Sequence, residues 1–242
     1  MAGGYGKRMW PVTKNFPKSL LPLGGRRAID YVLDKLLEAD VDAVLVSTNL
    51  RFRRHFEIWL NERQINSVEI VAEASMCEGE KLGAIGALAE LTPTLEPDDY
   101  YVIAGDNIFT SALGGMTKFY KEKNKSIVAL YNQKTMREVK LGSVVTLDED
   151  KKIIDFEEKP KHPKTKLVGA CIYAFPYDIL LKTQEYIDEG GNHDEPGNFI
   201  TWLCKSETVY GYMFGGRVWD IGTLRSYEEL KEEFSRRATH QF

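Results

Sequence analysis

Met1-Ala2-Gly3-Gly4-Tyr5-Gly6-Lys7-Arg8 opens the chain, and Phe16-Pro17-Lys18-Ser19-Leu20-Leu21-Pro22-Leu23 follows it closely. Together they read as a phosphate cradle. Glycines lack a Cβ, so the backbone bends sharply and brings its N–H groups up to an anion, while Arg8 and Lys18 supply charge for phosphate oxygens. Spacing excludes two commoner phosphate loops. A dinucleotide fingerprint needs a third glycine where Met9 stands, and a Walker A loop needs a Gly-Lys-Ser/Thr ending that is absent. Glycines before a basic residue also suit an ordinary surface turn; it is the Pro17-Lys18-Ser19-Leu20-Leu21-Pro22 half that favours the cradle.

Composition limits what such a cradle can serve. With 242 residues at 43% hydrophobic content, the chain can bury one α/β core with a small elaboration. A net charge of −4 leaves no electrostatic footprint for nucleic acid, so bound phosphate must be met by local charges. Cys77, Cys171 and Cys204 form no CxxC pair, which fits a reducing compartment and argues against a structural zinc site. No signal peptide and no bilayer-length apolar run is present, so the expected localisation is cytoplasmic, without a membrane partner.

Working outward, Ile29, Val32, Leu33, Leu36 and Leu37 fall on one face of a helix, and residues 43–48 form the short apolar run of a buried parallel strand. A second helix over 51–63 buries Phe52, Phe56, Trp59 and Leu60. Its Arg51, Arg53 and Arg54 read as a solvated face rather than a partner site. Strands at 68–71, 100–104 and 126–131 alternate with helices at 82–91 and 113–123, the pattern of right-handed βαβ crossovers. The expected fold is therefore α/β: a Rossmann-like, mostly parallel but mixed sheet flanked by helices. From residue 141 the pattern changes to a hairpin, 144–147 and 153–156 around a charged turn. A strand at 167–175, helices near 177–184 and 198–205, and a last helix over 224–238 complete the chain.

Two carboxylates stand at motif positions. Tyr100-Tyr101-Val102-Ile103-Ala104-Gly105-Asp106-Asn107 is an apolar strand ending in Gly-Asp, where Asp106 either holds Mg²⁺ on a nucleotide's phosphates or caps the next helix. Asp220 lies in Arg217-Val218-Trp219-Asp220-Ile221-Gly222-Thr223.

The order Gly-Gly-x-Gly-x-Arg, Pro-Lys-x-Leu-Leu-Pro, then a helix resembles the opening of the sugar-1-phosphate nucleotidylyltransferases, or nucleoside-diphosphate-sugar pyrophosphorylases, with Lys7 where the family usually has Thr. The Gly-Asp and Trp-Asp-x-Gly-Thr motifs match that family's metal aspartates, which implies Mg²⁺ on Asp106 and Asp220. Phe156-Glu157-Glu158-Lys159-Pro160 matches its Glu-Lys-Pro motif and implies Lys159 on the sugar phosphate and Glu158 on sugar hydroxyls. Gly142 and Gly169 match the sugar side, although relatives carry glycine where Cys171 stands. Leu82-Gly83-Ala84-Ile85-Gly86 resembles Leu-Gly-Thr-Ala-Gly, whose glycines face base and ribose; Ala74 stands nearest the glutamine with which thymidylyltransferases read a pyrimidine. The resemblance thus implies nucleotide contacts at Ala2, Gly3, Gly4, Gly6, Arg8, Gly83 and Asp106, sugar contacts at Gly142, Glu158, Lys159 and Gly169, and catalysis by Arg8, Lys18, Lys159 and Asp106. It divides the chain into a nucleotide half over 1–131, a sugar-phosphate half over 132–223 and a C-terminal helix over 224–242, without the C-terminal β-helix of many relatives.

The implied reaction joins dTTP or UTP to a sugar 1-phosphate, glucose 1-phosphate first, with release of pyrophosphate. The motif wording is closest to glucose-1-phosphate thymidylyltransferases. A cytidylyltransferase acting on an alcohol phosphate such as phosphocholine is one alternative, and a non-catalytic nucleotide-sugar-binding regulator is another. The family also carries a short apolar strand ahead of its glycine loop, where this chain has only Met1. Losing about five buried apolar side chains costs roughly 8–15 kcal/mol, comparable with a domain's whole stability. The expectation is a first strand missing here, either encoded upstream or supplied by another segment or by a neighbouring copy through strand exchange in a homo-oligomer.

Overall fold

The computed structural model describes residues 1–239, with side chains through Arg236. In chain order, Pro22–Leu23 (β1) and Arg26–Arg27 (β2) precede Ala28–Glu38 (α1), Val44–Asn49 (β3), Leu50–Arg63 (α2) and Val68–Glu73 (β4). Gly83–Leu91 (α3), Asp99–Ile103 (β5), Asn107–Phe109 (β6), Gly114–Lys123 (α4), Ser126–Asn132 (β7) and Met136–Val139 (α5) come next. Ser143–Leu147 (β8), Ile153–Glu158 (β9), Leu167–Pro176 (β10), Tyr177–Asp188 (α6), Pro196–Leu203 (α7), Val209–Met213 (β11), Val218–Asp220 (β12) and Leu224–Thr239 (α8) complete the order. These elements fall into two compact units. The first takes Met1–Lys81, Ala104–Ala112 and the residues from Val218 onward; the second takes Leu82–Ile103 and Leu113–Arg217.

In the first unit, β3 and β4 pair in parallel from Val44 opposite Val68 to Asn49 opposite Glu73. Asn49 then starts α2, its Oδ1 accepting the Phe52 N–H at 2.9 Å, a standard N-cap. The helix buries Phe52, Phe56 and Trp59, as its spacing predicts. Each such side chain contributes about 1.5–3 kcal/mol on full burial, which outweighs the many charges on the helix's outer face. Asp30 of α1 is buried beneath. It accepts from the Arg27 N–H and the Trp59 Nε1–H, both at 2.9 Å, and pairs with Arg63 at 3.3 Å, so its charge is compensated. Ala2, Tyr5 and Leu20 enter the same core. The glycine loop is thus packed into the unit rather than hung on its surface.

Among the described residues no strand precedes β1. Met1 and Ala2 are nonetheless tied on both sides: the Ala2 N–H donates to Ser47 O at 2.6 Å, and Met1 O accepts the Gly105 N–H at 2.8 Å. A short antiparallel ladder completes the unit, with Trp219 opposite Ile108 and Asp220 opposite Asn107 on β12 and β6. From α8, Tyr227 and Leu230 are buried, and the Tyr227 hydroxyl donates to Pro22 O at 2.7 Å.

The second unit is built on a six-stranded sheet, β11-β7-β10-β8-β9 with β5 also on β10. β10 is antiparallel to β5, β7 and β8, β9 is antiparallel to β8, and β11 is parallel to β7. It follows that β5, β7, β8 and β11 share one direction and β9 and β10 the other: mostly parallel in direction, mixed in pairing. The reversal comes where no helix separates β8, β9 and β10, since parallel neighbours need a crossover connection. β7 is buried continuously from Ser126 to Leu130, which is why its sequence does not alternate. β10 carries a register shift between Gly169 and Tyr173, and within it Cys171 has φ +48°. That left-handed conformation favours glycine, the residue that the family resemblance leads one to expect at this position. Among the described residues no helix is long and apolar enough to cross a membrane.

Candidate active site

In the first unit the loop that opens the chain is fixed from several sides. Gly6 sits at φ +60°, a conformation that favours glycine, and its carbonyl accepts the Thr13 hydroxyl at 2.7 Å. Gly3 O accepts the Asn49 Nδ2–H at 2.7 Å. A 3-10 turn after Pro17 carries Lys18, whose ammonium pairs directly with the Asp106 carboxylate; both side chains are largely shielded, at 20% and 11% exposure. The β6–β12 ladder brings Asp220 alongside, and the Ile221 N–H donates to Asp106 O at 3.2 Å. Gly222 keeps the corner open: a Cβ there would lie 2.5 Å from Asp220 Oδ2 and 3.4 Å from Arg8 Nη2. Arg8, Lys18, Asp106 and Asp220 therefore form one cluster.

Its electrostatics are those of a site built for charge. Desolvation, and then the neighbouring Asp106, push the Asp220 carboxyl up to about 6, against the opposing pull of Lys18 and Arg8. Protein atoms crowd the Asp220 carboxylate although water reaches the residue, and that access limits the energetic weight of the shift. Burial lowers the Lys18 ammonium, but Asp106 and Asp220 outweigh it and the net shift is upward. Lys18 stays charged.

The second unit holds the other set. Lys159 has φ +47°, and its N–H donates to Gly142 O at 3.1 Å. Its ammonium pairs with Glu195 and lies 3.6 Å from Glu158 Oε1. Burial lowers its pKa, yet the two glutamates prevail and hold it above the ordinary lysine value. The Ser143 hydroxyl donates to Glu158 Oε2, and a Cβ on Gly197 would overlap that carboxylate, so the start of α7 is packed down on it. Glu195 stands at the N-cap position of α7, just ahead of Pro196, and its carboxylate accepts the Asn198 Nδ2–H at 3.0 Å. Beside them opens a groove of ≈ 530 Å³ lined by Glu158, Pro160, Lys161, His162, Asn198 and Thr201.

Other predicted contacts lie within their own units. Ala2 is in the core, and Gly4 lies beside the Lys18 stem. Gly83 starts α3 against the His193 backbone, and Gly169 lies on β10 over Phe156. Ser143 and Glu195 were not predicted. An acidic residue immediately before a proline at a helix start was the available signal for Glu195.

A family model described as nucleotidyl transferase matches residues 1–237. A glucose-1-phosphate adenylyltransferase from Lachnospira eligens is 30% identical over 251 aligned positions, covering 96% of this chain and 58% of that protein. The Clostridium acetobutylicum protein of the same name is 29% identical, with 95% and 64% covered. The chain thus spans about three-fifths of the length of these curated relatives. Among solved structures, a Bacillus anthracis protein described as a glucose-1-phosphate thymidylyltransferase superposes with a TM-score of 0.82 at 25% identity, over 96% of this chain and 92% of that one. A UDP-glucose pyrophosphorylase complexed with UDP-glucose reaches a TM-score of 0.83 at 23% identity, over 98% and 97%, a likeness of fold alone.

Proposed function

The chain belongs to the nucleotidyl transferase family, that of the sugar-1-phosphate nucleotidyltransferases, and from that premise we propose that it joins a nucleoside triphosphate to a sugar 1-phosphate and releases pyrophosphate. The observation that carries this reading is the cluster of Arg8, Lys18, Asp106 and Asp220 in the first unit. Two phosphorylated substrates repel: unit charges at about 4 Å cost about 4 kcal/mol at an effective dielectric near 20. In the proposed reaction an oxygen of the sugar phosphate attacks the α-phosphorus in line, the bond to the β-phosphate oxygen breaks, and pyrophosphate carries away the charge. Arg8 and the loop N–H groups bind triphosphate oxygens. Lys18, held at Asp106, stays protonated beside the reacting phosphates. Lys159 orients the sugar phosphate while Glu158 accepts from sugar hydroxyls. Positioning and charge then lower the barrier without a protein nucleophile.

Mg²⁺ fits this donor set. Burial and then the neighbouring Asp106 raise the Asp220 carboxyl, and a divalent cation would offset the repulsion between the two carboxylates. Mg²⁺ keeps several waters and takes phosphate oxygens, so two carboxylates suffice as its protein ligands. Asp106 and Asp220 would hold the ion, which supplies charge neutralisation and polarisation of phosphoryl oxygens when bound.

Glucose 1-phosphate is the sugar substrate we favour, since the names of the relatives share it. For the base, the adenylyltransferase relatives and Ala74, which has no amide to read a pyrimidine, favour ATP. dTTP and UTP are the second reading, resting on the Gly105-Asp106-Asn107-Ile108-Phe109 wording. Pyrophosphate release with Mg²⁺, glucose 1-phosphate and each of ATP, dTTP and UTP tests both levels. Release that vanishes in Asp106→Asn supports the class, and the preferred triphosphate names the base. Silence with all three, together with nucleotide-sugar binding, would favour the regulatory protein.

A further inference from the structure

The arginines at the start of α2 do not form one surface. Arg53 and Arg54 pair with Glu57 at 2.9 and 3.5 Å and face solvent. Arg51 instead reaches two other segments. Its Nη2–H donates to Lys14 O and to Asn15 Oδ1, each at 3.0 Å, and its Nη1–H reaches Met76 O at 3.4 Å. Its backbone N–H donates to Ser75 O at 3.4 Å. Only a planar guanidinium offers a fork that serves three acceptors on two segments at once.

A second tie joins the same segments. Ser75 Oγ–H donates to Glu73 Oε1 at 2.6 Å, which leaves the Tyr5 hydroxyl to donate to Ser75 Oγ at 3.1 Å in a buried chain. With Asn49 holding Gly3 O and Thr13 closing on Gly6 O, residues 3–15 hang from the first turn of α2 and from the Ser75–Met76 turn. Lys18 follows three residues after the last of these anchors.

We propose that Arg51 is a positioning residue of the nucleotide half-site: by clamping Lys14 and Asn15 to Met76 it fixes the far arm of the loop that presents Arg8 and Lys18. Its kinetic consequence rests on the nucleotidyltransferase reading; its geometric consequence does not. Without the fork, the Gly3 and Tyr5 anchors survive and only the far arm is released. The KM for the triphosphate then rises and kcat falls, while the KM for the sugar phosphate holds. A lysine supplies a point charge without the fork and recovers little.

The test compares wild type with Arg51→Ala and Arg51→Lys by limited trypsin digestion, with cleavage at Lys14–Asn15 scored by mass spectrometry, and by steady-state kinetics. We expect cleavage there to accelerate about tenfold and the triphosphate KM to rise about tenfold in Arg51→Ala, with ethylguanidinium restoring part of both. Cleavage no faster than in wild type, or equal KM increases for both substrates, overturns the inference. If wild type releases no pyrophosphate, the functional reading fails while the digestion still decides the role of Arg51. Should Arg51→Ala not fold, Arg51→Lys and Asn15→Ala are compared in the same two measurements.

Discussion

The two lysines implied in phosphate binding are held in opposite ways. Lys18 of the first unit is shielded and paired with a carboxylate in the turn just before β6; Lys159 of the second is 46% exposed, at a left-handed residue between two glutamates. The difference teaches where each half places its precision. A triphosphate presents the same oxygens whatever the base, so a rigid charge cluster serves it. On the proposed reading the sugar side must follow differences in hydroxyl geometry, and an exposed lysine flanked by two carboxylates can be re-aimed by small changes around it.

The largest effect should come from the rigid half. Asp106→Asn removes the partner of Lys18 and half of the proposed Mg²⁺ site, and turnover should fall by about a thousandfold or more with an unchanged circular dichroism spectrum. A variant that turns over normally would remove Asp106 from the mechanism. In the second unit, Lys159→Ala should raise the sugar-phosphate KM by roughly tenfold or more and leave the triphosphate KM in place. Equal shifts in both would erase the distinction between the halves.

A smaller effect concerns pH. Because the Asp220 carboxyl is raised to about 6 in the folded chain, its contribution to stability is present in acid and is lost as pH climbs from the ordinary aspartate range through about 6. Asp220→Asn should remove that loss and raise the melting temperature by about 1–2 °C at pH 7 but not at pH 4, the small size reflecting solvent access. Added Mg²⁺ should stabilise wild type and not this variant; equal Mg²⁺ stabilisation of both would take Asp220 out of the site. Smallest of all, Cys171→Gly relieves a left-handed backbone that costs roughly 1–2 kcal/mol while giving up a half-buried side chain, for a net gain of under about 1 kcal/mol in denaturant unfolding. A loss instead would mean that the thiol's packing outweighs the strain.

Much of this was legible before any coordinates. Periodicity located α1 and α2 and their buried aromatics, and continuous apolar runs located β3, β5 and β7, because each of those patterns is local and long. β6, β11 and β12 were not anticipated. They are three to five residues long and exist through partners remote in sequence, as Trp219 finds Ile108 and Tyr210 finds Ile127. For the same reason the motifs named Asp106 and Asp220 without showing what joins them. Arg51 looked like its neighbours Arg53 and Arg54, since nothing in a run of arginines says which one bends back over a loop. Glu195 was hidden differently: a carboxylate before proline reads as a helix cap, and here it stands at the N-cap position but turns its carboxylate to Lys159 and the Asn198 side chain.

The β6–β12 ladder also sets an order of events during synthesis. The first unit is discontinuous, and its closing strand enters only at Val218, after every segment of the second unit has been made. On the ribosome the sheet of the second unit has all its strands while Asn107 still waits for Asp220. A nascent chain halted before Val218 would carry Lys159 and the glycine loop, yet lack one of the two carboxylates. The cluster of Arg8, Lys18, Asp106 and Asp220 would then close in one step, when β12 pairs with β6, rather than residue by residue.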